Sequence, residues 1–166
     1  MAIYNGEKSL RRALDSLLGQ DYLNLEIVIS DNTSTDATPE ICRAYVQQDS
    51  RVKYSRSKEN YGVVWNFNQT FELSSGKYFM WAACDDTREL SAVRECVEKM
   101  EQYPEAVLCQ SYVAAHLGQG GPQVYTANLD TFKNIQGIAE RYEAVLNYNP
   151  VWALYGLYRA SAVRKT

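Results

Sequence analysis

The run Leu25-Glu26-Ile27-Val28-Ile29 is short, rich in β-branched residues and free of in-and-out alternation, the pattern of a strand covered on both faces. Such a strand needs helices on either side of its sheet, and the flanking sequence supplies them. Upstream, Leu10, Ala13, Leu14, Leu17 and Leu18 recur at three- and four-residue steps, which predicts an amphipathic helix over residues 7–18, ended by Gly19. Downstream, the strand stops at Ser30-Asp31 and polar, turn-forming residues follow. Thr38-Pro39-Glu40-Ile41 then restarts a helix, with Thr38 as N-cap and Pro39 in its first turn, reaching about Gln48.

The same alternation continues. Residues 52–55 read as a second strand, Asn60-Tyr61-Gly62 as a turn, and residues 64–73 as a helix with Val64, Phe67 and Phe71 on its apolar stripe, closed by Gly76. Residues 78–82 form the next buried strand, which runs into Cys84-Asp85-Asp86. A fourth helix covers residues 90–102 through Leu90, Val93, Val97 and Met100, and a strand covers residues 106–113. Beyond it the pattern gives a loop at 118–122, an edge strand at 125–129, a helix at 138–146 and a strand at 152–158. Strands alternating with helices imply βαβ units. The expected class is α/β: a three-layer α/β/α arrangement on a mostly parallel sheet with right-handed crossovers, one domain over residues 1–166.

Charge and motif content narrow the function. Seventeen Lys+Arg against twenty Asp+Glu give a net charge of -3, which argues against a nucleic-acid surface held by bulk charge. No run of about 18 apolar residues and no basic start followed by an apolar block is visible, so no transmembrane segment is expected and the chain reads as cytoplasmic. Cys42, Cys84, Cys96 and Cys109 form no C-x-x-C pair, and His116 is the one histidine, so zinc and haem are disfavoured and reduced, buried thiols are expected. A Ser-His-Asp or Cys-His mechanism would depend on His116, which precedes a glycine-rich stretch. Neither G-x-G-x-x-G after a strand nor G-x-x-x-x-G-K-[ST] occurs, which disfavours dinucleotide and P-loop chemistry.

In a parallel α/β sheet, ligands bind beyond the carboxyl ends of the strands. Asp31 stands at such an end with Asn32, Ser34, Thr35 and Asp36 behind it. It can accept hydrogen bonds from a base or ribose, or serve an Asx-turn and helix entry. Asp85 and Asp86 follow another strand; two adjacent carboxylates suit a hard cation on a diphosphate, and Asp86 or Thr87 also suits a helix cap. Asn60, Gly62, Trp65 and Asn66 form a third cluster, whose plainer reading is a turn plus a core aromatic.

Taken in order, Tyr4-Asn5-Gly6-Glu7, EIVISDNTSTDAT at residues 26–38, ENYGVVWNFN at 59–68 and GKYFMWAACDD at 76–86 resemble the nucleotide-sugar domain of family 2 glycosyltransferases, the GT-A fold. Tyr155-Gly156-Leu157-Tyr158-Arg159 is similar to a strand near the acceptor side. The resemblance implies that Tyr4, Asn5 and Glu7 line a nucleoside pocket, that Asp31 reads the base with Asn32 beside it, and that Asn60 and Trp65 border the nucleotide. It implies that Asp86, with Asp85, holds magnesium or manganese against the diphosphate. The implied activity is inverting transfer from a UDP-sugar to a glycan or glycoconjugate acceptor, in polysaccharide biosynthesis, in the cytoplasm or at the inner membrane face. Three departures stand out. Cys84 occupies the first position of the D-x-D-type motif, and a thiol suits magnesium poorly. Only Met1-Ala2-Ile3 stand where the family has a full first strand, so the sheet is expected either to open beside residues 25–29 or to use them as a stub, with self-association through an exposed edge as a consequence. The catalytic base is expected beyond Thr166. The alternative is a non-catalytic remnant that folds or associates without transfer.

Overall fold

The computed structural model describes residues 1–111, 113–115, 123–125 and 154–165. The expected loop at 118–122, the helix at 138–146, His116 and most of the strand at 125–129 lie outside them. The first sheet is parallel, in the order β1-β2-β3, from β1 (Ala2–Ile3), β2 (Ile27–Asp31) and β3 (Val52–Arg56). All five residues of β2 are buried, as its β-branched run dictates. The strand sits two residues further along than the apolar run, since the β3 ladder extends through Ser30 and Asp31 to Ser55 and Arg56. The first-strand residues form a stub: Ala2 pairs with Ser30 and Ile3 with Asp31.

Three helices cover this sheet. In α1 (Leu10–Leu18), Leu10, Ala13 and Leu14 are buried on the predicted stripe, and the Gly19 N–H closes the last turn on Asp15. They join Ile3, Ile29 and Ile41 in one core, where each fully buried Leu or Ile contributes about 1.5–3 kcal/mol. In α2 (Thr38–Gln48), Pro39 takes the first turn as expected, but Ala37 occupies the N-cap position and Asp36 Oδ1 accepts the Thr38 N–H at 3.0 Å. The Thr38 hydroxyl instead turns towards the neighbouring loop. Helix α3 (Val63–Glu72) lies against β1 and β2 and buries Asn66, Thr70 and Phe71, the last against Phe79, while Val64 is 71% exposed, contrary to the predicted stripe.

The second sheet is antiparallel, in the order β4-β8-β5, from β4 (Tyr78–Met80), β5 (Leu108–Cys109) and β8 (Leu157–Arg159). Residues expected as one strand at 106–113 therefore divide between β5 and β6 (Val113–Ala115), and β6 pairs with β7 (Gln123–Tyr125). Edge-to-face contacts join Phe71 to Phe79 at 5.0 Å, Phe79 to Trp81 at 4.7 Å and Trp81 to Tyr158 at 5.6 Å. Helix α4 (Ala92–Gln102) buries Cys96 and Met100 against β5 and β8, while Leu90 falls before it and is exposed. A short helix, α5 (Ala160–Val163), follows β8. All four cysteines are free, and no helix among the described residues is long and apolar enough to cross a membrane.

Candidate functional site

The loops after β1, β2 and β3 meet at the carboxyl edge of the parallel sheet. Ser34 Oγ accepts the Asn5 N–H at 2.9 Å, Thr38 Oγ1 the Gly6 N–H at 2.9 Å and Asp36 Oδ2 the Glu7 N–H at 3.1 Å. In return, Asn5 Oδ1 accepts the Thr35 N–H at 2.8 Å and Glu7 Oε2 the Ala37 N–H at 2.9 Å. Asn32 Nδ2 donates to Asn60 Oδ1 at 2.7 Å and to the Gly62 carbonyl at 3.1 Å, while its Oδ1 accepts the Tyr61 N–H at 3.0 Å. Four sequence-predicted residues, Asn5, Glu7, Asn32 and Asn60, thus hold three loops in one shape. The backbone there is strained: Asn5 has φ 54 and Thr33 φ 65, and a β-branched residue rarely enters that region. Thr33 is held by its hydroxyl on the Ser57 carbonyl at 3.0 Å.

Asp31 lies beneath these loops at 0% exposure. Its Oδ1 accepts the Ser34 N–H at 2.8 Å, and its Oδ2 accepts the Tyr54 hydroxyl at 2.7 Å with Arg56 Nε at 3.3 Å. Burial, and then the bond to Asp31, push the Tyr54 phenol up. Where the sequence led us to expect a base-reading group, the structure shows a sealed carboxylate with no open edge. Its surroundings explain this: Tyr54 and Arg56 come from β3, which the sheet register sets beside β2. What the rim leaves open is aromatic. Tyr4 is 50% exposed, Tyr61 46% exposed, and the ring of half-buried Trp65 lies 4.6 Å from that of Tyr61.

The Cys84-Asp85-Asp86 turn reaches the same rim through Gly6, where a Cβ would come within 3.3 Å of Cys84 Sγ. Arg12 of α1 donates to the Asp85 carbonyl at 2.8 Å, and the Arg88 N–H donates to Ser16 Oγ at 3.2 Å. The Arg88 side chain, mostly buried, donates to the carbonyls of Trp81 at 2.9 Å and Tyr155 at 3.1 Å, fastening the turn to the segment before β8. Burial, and then the negative charge of Asp85, hold the Asp86 carboxyl above the usual range, with Arg88 and Arg12 opposing. The Tyr155 phenol is raised by burial and then by Asp86 and Asp85. Arg12, Arg56 and Arg88 were not singled out from sequence, and Tyr155 was read only as part of a strand, because each acquires its role through partners far along the chain.

Among the described residues, no three His, Cys, Asp or Glu side chains converge on one point. Asp85 and Asp86 are nevertheless exposed, adjacent carboxylates, a donor set that fits a hard cation completing its shell with phosphate and water. Cys84 packs inward against the first core, and burial pushes its thiol up, so it is no part of that set. A cavity of about 430 Å³ lies between β2 and β4, and neither Asp31 nor Asp86 lines it.

A parallel βαβ sheet with its loops gathered at the carboxyl edge, followed by an acidic turn and an antiparallel extension, is the GT-A fold expected from the sequence. The profile described as "Glycosyl transferase family 2" matches residues 1–158, and the chain belongs to that family. Glycosyltransferase GlyA of Streptococcus pneumoniae is 33% identical over 71% of this chain and 17% of its own length. An uncharacterized glycosyltransferase of Haemophilus influenzae is 30% identical over 98% of this chain and 51% of its own length. The chain thus spans about half or less of these curated relatives. The crystal structure of S. aureus TarS 1–349 in complex with UDP superposes with a TM-score of 0.73 at 22% identity, covering 98% of this chain and 46% of that one. The mannosyltransferase PcManGT of Pyrobaculum calidifontis, in complex with GDP-Man and Mn2+, superposes with a TM-score of 0.61 at 22% identity, covering 68% of this chain and 34% of that one.

Proposed function

We propose that this domain binds a UDP-sugar at the rim formed by residues 4–7, 31–38, 57–62 and 84–88, and that it transfers the sugar, with inversion, to a hydroxyl of a glycan or glycoconjugate. The observation that carries the reading is the meeting of these loops with the exposed Asp85-Asp86 pair at one carboxyl edge. The nucleotide complexes of the structural relatives, with UDP and with UDP-GlcNAc, support it.

In this reading the exposed Tyr4 ring and the half-buried Trp65 ring flank the nucleoside, and Asn5, Glu7, Asn32 and Asn60 keep its cradle in shape. Asp31 acts as a positioning residue, through Ser34 and Arg56. Asp86 and Asp85 would hold magnesium or manganese, which would offset charge on the departing diphosphate. Arg12 and Arg88 fix the turn that presents these carboxylates. The acceptor hydroxyl, passing its proton to a base outside the described residues or to water, attacks the anomeric carbon as the bond to the β-phosphate oxygen breaks, and the electron pair leaves with UDP.

The test is incubation of the folded chain with a panel of UDP-sugars and Mn2+, with released UDP as the readout. Release that falls at least a hundredfold in Asp86→Asn is expected. No release from any sugar by folded protein, with no UDP bound, would contradict the reading; binding without release would favour a remnant that retains its nucleotide site only.

A further inference from the structure

Strand β8 stands between β4 and β5, and its Leu157 pairs with Met80 on one side and with Cys109 on the other. Residues paired in this way point to the same face of a sheet, so the Met80, Leu157 and Cys109 side chains form a row. Helix α4 lays Cys96 and Met100, one turn apart, against that row, and the five side chains share one core. Two of the four cysteines, one on a helix and one on a strand, are thereby brought face to face, and a hydrogen bond joins their thiols. Neither is in a disulfide.

The two thiols differ in access. Cys96 is 4% exposed, and burial, then the charge and hydrogen bond of Cys109, push its thiol up, with Arg88 opposing. Cys109 is half-buried on β5, at the margin of its sheet, so a small oxidant reaches it first. Around the pair stand Met80, Val97, Met100, Ala106 and Leu157, which offer no polar partner to a charged group. A metal thiolate or a sulfinate would carry charge into this core. A disulfide is neutral and adds no atom to it.

We propose that Cys96 and Cys109 form a paired-thiol modification site, which hydrogen peroxide converts to a disulfide that fastens α4 to β5. The Cys109 sulfur attacks one peroxide oxygen, the O–O bond breaks, and the displaced oxygen leaves with the thiol proton as water, so that Cys109 becomes a sulfenic acid. Cys96 Sγ then attacks that sulfur. The S–S bond forms as the S–O bond breaks, and the hydroxyl leaves with the Cys96 proton as a second water. Two thiols lose two electrons, and the peroxide gains them. The link closes the loop of residues 96–109, which restricts the unfolded chain and so favours the folded one. The inference is independent of sugar transfer, because it concerns the second sheet and its helix and not the rim.

Trypsin cuts after Arg94, Lys99 and Lys133, so the two cysteines fall in separate peptides, 95–99 and 100–133. The folded chain is treated with hydrogen peroxide, the remaining thiols are blocked with N-ethylmaleimide, and the non-reduced digest is read by mass spectrometry. The expected product is peptide 95–99 joined to peptide 100–133, split again by dithiothreitol. The oxidised chain is expected to melt about 6–12 °C above the reduced one. Cys109→Ser should give no such product and gain nothing from peroxide, and Cys109→Ala takes its place should the serine variant not fold. Oxidation that stops at a Cys109 sulfinic acid, a link that forms only in urea, an equal yield of links to Cys42 or Cys84, or a linked chain with an unchanged midpoint would overturn the proposal.

Discussion

Asp31 sits at 0% exposure with Ser34, Tyr54 and Arg56 on its two oxygens, so an asparagine there leaves one buried donor without an acceptor and Arg56 without its counter-charge. Asp31→Asn is expected to cost about 2–4 kcal/mol in urea unfolding and to weaken UDP binding in proportion to loosening of the loop. Unchanged stability with lost binding would return Asp31 to the direct base contact expected from sequence. Gly6 makes a second residue-scale case. A Cβ there would lie 2.6 Å from Ile3 Cδ1, and Ile3 is 2% exposed and cannot retreat. Gly6→Ala should lower stability by about 1–3 kcal/mol and displace the Cys84 turn, which a shift of the Asp86 resonances would report. The position of Asp31 was legible from its strand; its burial was not, because Tyr54 and Arg56 reach it only through the register of β3.

At the scale of elements, periodicity found the helices and the parallel strands, since α1, α2, α4, β2 and β3 each carry their own apolar pattern. It misjudged features set by partners. Val64 belongs to an apolar run but lies on the outer face of α3, where Asn66 and Thr70 take the inner one. The Asn66 amide earns that place by donating to the Ile3 carbonyl at 3.1 Å. The direction of β4 was equally invisible, because its antiparallel partner β8 lies far along the chain, with Phe79 opposite Tyr158. Phe79 bridges Phe71 and Trp81 at this junction. Phe79→Ala should cost about 3–5 kcal/mol and separate β4 from β8, seen as faster amide exchange across both strands; a cost below about 1 kcal/mol would contradict the packing described.

For the whole molecule, the buried Met1 amine links stability to pH. Its folded value of about 5 lies below its ordinary value of 8.0, so the unfolded chain binds the extra proton between those limits. Stability from this group is complete above pH 8 and falls as pH drops towards 5, by about 4 kcal/mol at 1.36 kcal/mol per unit. N-terminal acetylation should flatten that slope in urea midpoints measured from pH 5 to 9; an unchanged slope would show that the amine is solvated. Three of the four motifs were legible together because their order follows the strand ends of a parallel sheet, whereas the fourth follows β4 of the antiparallel sheet.

The claim on which the account turns is that this rim binds a nucleoside diphosphate with the help of Asp86. Calorimetric titration of the folded chain with UDP, with and without Mn2+, measures it most directly. Saturable binding that strengthens at least tenfold with Mn2+, and loses that gain in Asp86→Ala, is the predicted result. An Asp86→Ala chain that binds UDP and Mn2+ as tightly as the parent, or a parent that binds neither at millimolar ligand, would contradict it.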